Sequence, residues 1–139
     1  MNTRQEIQAR IKEQCLDFKE VAGAADYQAL LSGRINAPGA YVFPDSQKAG
    51  ENTLVNGISQ RVNRLFGITI AVRNVSGARN VDSSDENTDL CNKVCAALLG
   101  WSPTDCEPIE YVDGQLMAIH NGFHLWMERY RTATQIRKV

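Results

Sequence analysis

Apolar positions in the first sixteen residues recur every four, at Ile7, Ile11 and Cys15, within a stretch that is otherwise mostly charged or polar. A stripe of that period predicts an amphipathic helix from Thr3 to Leu16, opened by "TRQE" as a capping box with Thr3 at the cap and Glu6 reaching back to it. "DFKEVAGAAD" reads as a short extended segment. "DYQALLSG" reads as a brief helix, with Asp26 as its cap and Gly33 just past its end. "GAYVFP" carries aromatic and β-branched residues and predicts a strand that stops at Pro44. The polar stretch from Ser46 to Gly57, with a turn signal at Asn56–Gly57, predicts a loop of about 12 residues, a length usually functional or mobile.

"ISQRVNRLFGITIAVRNV" is the clearest strand. Phe66, Ile68, Ile70 and Val72 share one face, and Leu65, Gly67, Thr69 and Ala71 share the other. Both faces are apolar or small, so the strand belongs in the middle of a sheet. "SGARNVDSSDE" is a polar connection. A second long helix follows over "DLCNKVCAALLGW", with Ser83 and Glu86 as a second capping box, Gly100 as its left-handed C-cap and Pro103 beyond. After Pro108 the period changes to two. Turn signals at Asp113–Gly114 and Asn121–Gly122 predict a three-stranded antiparallel meander. The expected fold class is α+β, a mostly antiparallel β-sheet backed by two main α-helices, in a single small domain over residues 1–139.

A chain of 139 residues, 43% hydrophobic and 22% charged, has globular composition. Fifteen basic residues against sixteen acidic ones give a net charge of −1, so no global field draws it to nucleic acid or to an anionic membrane. The longest apolar runs fall far short of the ~18–20 residues that span a bilayer. The charged N-terminus has no apolar core of a signal peptide, which predicts a reducing cytoplasm where cysteines stay thiols.

Each candidate for chemistry has a plain structural reading. Cys91 and Cys95 stand one helical turn apart on the apolar stripe that Leu98 continues, flanked by Leu90, Val94 and Ala97. Neither belongs to a CxxC knuckle, and Cys15, Cys106, His120 and His124 supply no ligand-spaced partner, so the sulfurs are expected to pack as small hydrophobes. His120 and His124 straddle the Asn121–Gly122 turn. No GxSxG, HExxH or phosphate loop occurs, and helix capping accounts for Asp82, Asp85 and Glu86. No catalytic residue, cofactor or metal site is predicted. Arg61, Arg64, Arg73 and Arg79 lie on or after the central strand, and Arg129, Arg131, Arg137 and Lys138 on the last. Neighbouring strands would make them a ladder, read first as a solvated or intersubunit surface and second as a nucleic-acid contact.

The order of landmarks "AYVFP", an Asn in a polar loop, "QRVNRLFGITIAVRNV", "AALLGWSP", "PIEYVDGQLM" and "LWMERYRTATQIRK" resembles the tail terminator proteins of long-tailed bacteriophages, in particular those of Mu-like transposable phages. The similarity runs from about residue 18 to the end. It implies a structural virion protein and no reaction: six subunits form a ring at the head-proximal end of the tail tube, stop its polymerisation and offer a surface to the neck proteins of the filled head. The implied partners are further copies of the chain, the tail tube protein and a head-completion protein, with assembly in the host cytoplasm. Specific nucleic-acid binding and membrane contact are not expected. The expected subunit or tube interface residues are Lys48, Glu51, Asn52, Asn56, Arg61, Arg64, Arg129 and Arg131. The alternatives are a head-completion or neck adaptor of similar fold, and a small nucleic-acid-binding module using the arginine strands.

Overall fold

The computed structural model describes residues 1–74 and 81–139. In chain order the elements are α1 (Thr3–Gln14), β1 (Glu20–Gly23), α2 (Tyr27–Ser32), β2 (Gly39–Ala49), β3 (Ile58–Arg73), α3 (Val81–Leu98), β4 (Glu110–His120) and β5 (Phe123–Lys138). The strands form one sheet in the order β1-β2-β3-β5-β4. β1 runs parallel to β2, and the other neighbouring pairs are antiparallel. The α+β class, the mostly antiparallel sheet, the two long helices and the central place of β3 are as expected, with α2 as a short third helix.

Directly opposed residues of antiparallel strands share a face. Val42 with Ile68, Ile70 with Trp126 and Phe66 with Tyr130 therefore point to one side. Against that side α1 and α3 lay Ile7, Ile11, Leu90, Cys91, Val94 and Leu98, forming the main core. On the other side Tyr41, Ala71 and Leu125 pack with Leu30 of α2 in a smaller cluster. Gly67 lies on this second face. A Cβ there would sit 2.6 Å from the Phe43 ring and 3.2 Å from the Met127 sulfur, so glycine is what lets the buried Phe43 lie across the central strand. Arg10 ties the helices together. Its Nε donates to the Ala97 carbonyl at 2.9 Å, one of the orphan carbonyls at the end of α3, and its guanidinium lies 5.3 Å from the centroid of the Trp101 ring.

Several boundaries differ from expectation. The capping box of α1 sits one residue early. The Asn2 side chain accepts from the Gln5 amide at 2.8 Å, and the Gln5 side chain accepts from the Asn2 amide at 2.9 Å. Thr3 is buried, and the Glu6 carboxylate instead accepts from the amide and hydroxyl of Thr104. A distant loop thus takes the side chain that local pattern assigned to the cap, and the helix ends at Gln14 rather than Leu16. α3 begins at Val81, which places Ser83 inside its first turn, where the hydroxyl donates to the Asn74 side chain at 3.3 Å. Residues 76–80 of the "SGARNVDSSDE" connection, Arg79 included, lie outside the described residues, as does the side chain of Asp82.

β2 does not stop at Pro44. It continues to Ala49, with a register shift between Pro44 and Ser46. The proline is tolerated because β1 pairs with β2 only as far as Val42, which leaves Pro44 at a free edge beside a bulge. Ser46 to Ala49 are therefore strand, and the loop shrinks to residues 50–57. The expected meander is a single hairpin. Asn121 (φ 49°) and Gly122 (φ 79°) make its two-residue turn, both in the left-handed region that such turns need. Asp113–Gly114 instead marks a bulge in β4, where the register slips between Tyr111 and Asp113. The continuous 16-residue β5 gives β4 a partner on both sides of that point, which outweighs a local turn signal.

Candidate functional site

A buried polar cluster lies between α3 and β5. A cavity of about 110 Å³ is lined by Asn87, Cys91, His124, Trp126 and Glu128, among others. Asn87 sits one turn before Cys91 on α3, which places both on the face that meets the sheet. The Asn87 amide nitrogen donates to the Ile70 carbonyl at 3.0 Å and lies 3.3 Å from His124 Nδ1, and its oxygen accepts from the Cys91 thiol at 3.2 Å. The sulfur is thus separated from the imidazole by an amide. Burial pushes the Cys91 thiol up, and burial pushes His124 below its ordinary value, so both are neutral. A nucleophilic cysteine needs a populated thiolate, and burial together with the neighbouring Glu128 carboxylate disfavours the Cys91 anion. Glu128 accepts from the Tyr111 hydroxyl at 2.6 Å. Among the described residues no three His, Cys, Asp or Glu side chains gather to hold a metal ion, and no helix is long and apolar enough to cross a membrane. The cluster closes the core with satisfied hydrogen bonds. Spacing identifies Cys91 as packed sulfur, whereas Asn87 carries no signal except its place four residues earlier on the same helix face.

The surface is more informative. β3 and β5 are neighbours, so Arg61, Arg64, Arg129 and Arg131 share one region, while Arg73 lies at the other end of β3 and Arg79 lies outside the described residues. They do not form a bare ladder. Arg129 donates to both oxygens of Asp113, at 2.7 and 2.6 Å, and to Asp45 at 3.2 Å, linking β4, β5 and β2 across Gly67 of β3. That pairing holds the Asp113 carboxyl below its usual range. Arg131 donates to Glu110 at 3.3 Å, and Arg61 pairs with Glu107. Arg64 is different. Its Nη1 reaches only the Thr3 hydroxyl, at 3.4 Å, and its Nε is buried without a partner. Three of the four expected interface arginines are therefore engaged within the chain, and one has no carboxylate.

The far ends of β2, β3 and β5 extend past the helices and are mostly exposed. Loop 50–57 closes that end, and it is built around Asn52. The Asn52 amide nitrogen donates to the carbonyls of Leu54 (3.1 Å) and Gly57 (2.9 Å), and its oxygen accepts from the amides of Leu54 (3.1 Å) and Ser59 (2.8 Å). All four of its hydrogen-bonding positions are used within the loop and at the start of β3. Gln60 adds a bond to the Gly50 carbonyl, and Thr53 binds the Ser59 carbonyl through both amide and hydroxyl. Glu51, Asn56 and Lys48 are exposed. So is Val55, at 97%, with Leu54 and Ile58 beside it. The isolated "TLV" inside a polar stretch was the only sequence trace of this apolar tip. A second apolar strip, Val112, Leu116 and Ile119, lies on the outer strand β4.

A hollow of about 310 Å³ opens where β2 leaves β1, lined by Thr3, Arg4, Pro44, Arg64, Leu65 and Phe66, together with Asn2 and residues 45–47. No catalytic constellation converges there. What the chain presents outward is a braced loop, two apolar strips and a hollow with arginines, features of the kind that interfaces use.

No curated protein matches the chain. Among solved structures, a chain from the virion of a native gene transfer agent particle is similar over 98% of this chain and 100% of that one, at 10% identity and a TM-score of 0.46. The model of the family described as phage tail terminator protein matches residues 1–138, nearly the full length over which the landmarks, the sheet and these surface features are spread, and the chain belongs to that family.

Proposed function

We propose that the protein is the ring that ends tail-tube assembly. Six copies cap the head-proximal end of the tube, stop its polymerisation and present their other face to the neck proteins of a filled head, in a phage of the Mu-like transposable group. The observation that carries this reading is the family match over residues 1–138. Family membership makes the chain a structural tail component, and the exposed far ends of β2, β3 and β5 with loop 50–57 suit a subunit with heterologous, closing contacts. Lys48, Glu51, Asn56 and Arg64 are the residues proposed to meet a neighbour or the tube directly. Arg61, Arg129 and Arg131 shape that rim through their internal ion pairs, and Asn52 acts by holding the loop.

Mass measurement by light scattering and negative-stain imaging of tubes test the proposal. Rings of six, and tubes that stop at a defined length only when the protein is present, are expected. A monomer that neither binds tube ends nor limits their length overturns it. Recovery on tailless heads instead would assign the protein to the neck.

A further inference from the structure

We propose that the tip of loop 50–57 of one copy inserts into the arginine hollow of the next, with Glu51 meeting Arg64 and Arg4 while Leu54 and Val55 pack against Pro44 and the Phe66 side of β3. This deepens the ring reading and rests on it. Three observations point to this one occupant.

The first is charge. Among the described residues neither Arg4 on α1 nor Arg64 on β3 has a carboxylate within ion-pair distance, whereas Arg61 on β3 and Arg129 and Arg131 on β5 do. Arg4 donates to Gln8, and Arg64 keeps a buried, unpartnered Nε. A buried donor without an acceptor is costly, so an incoming carboxylate has something to satisfy. The acid lining the hollow, Asp45, is already bound by Arg129. Loop 50–57 carries a single charge, Glu51, and it is exposed and negative.

The second is shape. The hollow combines apolar walls with these arginines, and at about 310 Å³ it can take a pair of aliphatic side chains. Val55, at 97% exposure, and Leu54 are the side chains the loop holds out. The third is preorganisation. The bonds that lock Asn52, Thr53 and Gln60 fix the loop before any partner arrives, which lowers the entropy lost on docking.

The competing mode, strand added to strand, is poorly served. β2 is bulged at Pro44–Ser46 and carries Asp45 and Lys48 beyond β1, while outer β4 is bulged twice. Bulges and charges are what keep edges from pairing. A chain cannot fill its own hollow. Ser46 pairs with Leu65 beside the hollow, and the tip lies beyond the Ala49–Val62 pair, farther along a continuous ladder at about 3.4 Å per residue. Donor and acceptor are different patches, so the contact is head-to-tail and propagates from copy to copy.

The test is sedimentation of the full chain over a wide concentration range, by itself and with isolated tail tubes, for wild type, Glu51→Arg, Val55→Asp, Arg64→Glu and the Glu51→Arg/Arg64→Glu double variant. Glu51→Arg and Val55→Asp change exposed loop positions, so their folds are expected to persist by circular dichroism. Each is expected to weaken self-association about tenfold or more, with the double charge swap recovering most of the loss. Rings that form unchanged in Glu51→Arg and Val55→Asp overturn the docking while leaving the ring reading intact. A wild type that never self-associates, with or without tubes, overturns both.

Discussion

At the scale of single residues, environment decides what chemistry a side chain retains. His124 is 6% exposed, lies against the Asn87 amide nitrogen through Nδ1, and shares its cavity with Cys91 and Glu128. Protonation would place a donor against a donor. Burial accordingly lowers its pKa in the folded chain below the ordinary 6.5. The unfolded chain then takes up the proton first as pH falls. Stability is full above about 6.5 and is lost as pH drops from there toward the folded value, at most about 1.4 kcal/mol per pH unit from this group. Urea unfolding at pH 7.5 and 5.5 is expected to show that loss, and His124→Gln to flatten it, whatever its absolute stability. A profile equally steep in His124→Gln would refute the assignment. Little of this was legible in the sequence. His124 stood out only as one of two histidines around a turn, and its burial follows from the register that sets it opposite Val72.

At the scale of elements, the strong periodic segments read true and their ends did not. β3 was legible because both of its faces are apolar over a long stretch, and α3 because its stripe and its Gly100 stop coincide. The positive φ of Gly100 (80°) matches the left-handed cap. The errors lie where a distant partner outbids a local signal. Glu6 binds Thr104 rather than its own cap, Pro44 sits on an edge that β1 has left, and Asp113–Gly114 is kept extended by β5. Loop 50–57 shows the same logic, since its order comes from one asparagine contacting residues on both sides of the turn. Asn52→Ala removes four hydrogen bonds, each worth about 0.5–1.5 kcal/mol net. Much of that loss is confined to a segment already exposed. Amide exchange at Leu54 and Ser59 is expected to rise by about tenfold or more, while the core strands keep their protection. Unchanged exchange at those two amides would show that the loop holds itself by other means.

At the scale of the whole molecule, the question is what a nearly neutral chain does with fifteen basic side chains. The structure answers for three of the arginines that might have made a nucleic-acid surface, because Arg61, Arg129 and Arg131 each meet a carboxylate. Paired charges release few counterions on DNA. Gel-shift or anisotropy assays with duplex DNA are expected to show weak binding, with Kd above about 10⁻⁴ M at physiological salt and little salt dependence beyond that of a few contacts. Tight binding that collapses steeply between 50 and 200 mM salt would return the arginine strands to nucleic-acid recognition. What distinguishes the surface is instead its uneven finish, with Arg61, Arg129 and Arg131 paired, a braced apolar tip at one end, and a hollow with Arg4 and Arg64 at the free edge of β2.

The sequence by itself determined the fold class, the central strand, the two long helices, the packed role of the helix sulfurs, and a resemblance that the match over residues 1–138 bears out for the tail terminator family as a whole. These follow from periodicity and residue order, which act over one element at a time. Only the tertiary structure decided which arginines are neutralised, where β2 and β4 bulge, that Asn52 turns inward while Val55 turns out, and that a hollow with an unsatisfied guanidinium exists. Those facts depend on which strands become neighbours and in what register. A pairing between residues as far apart as Asp45 and Arg129 leaves no trace in either local pattern.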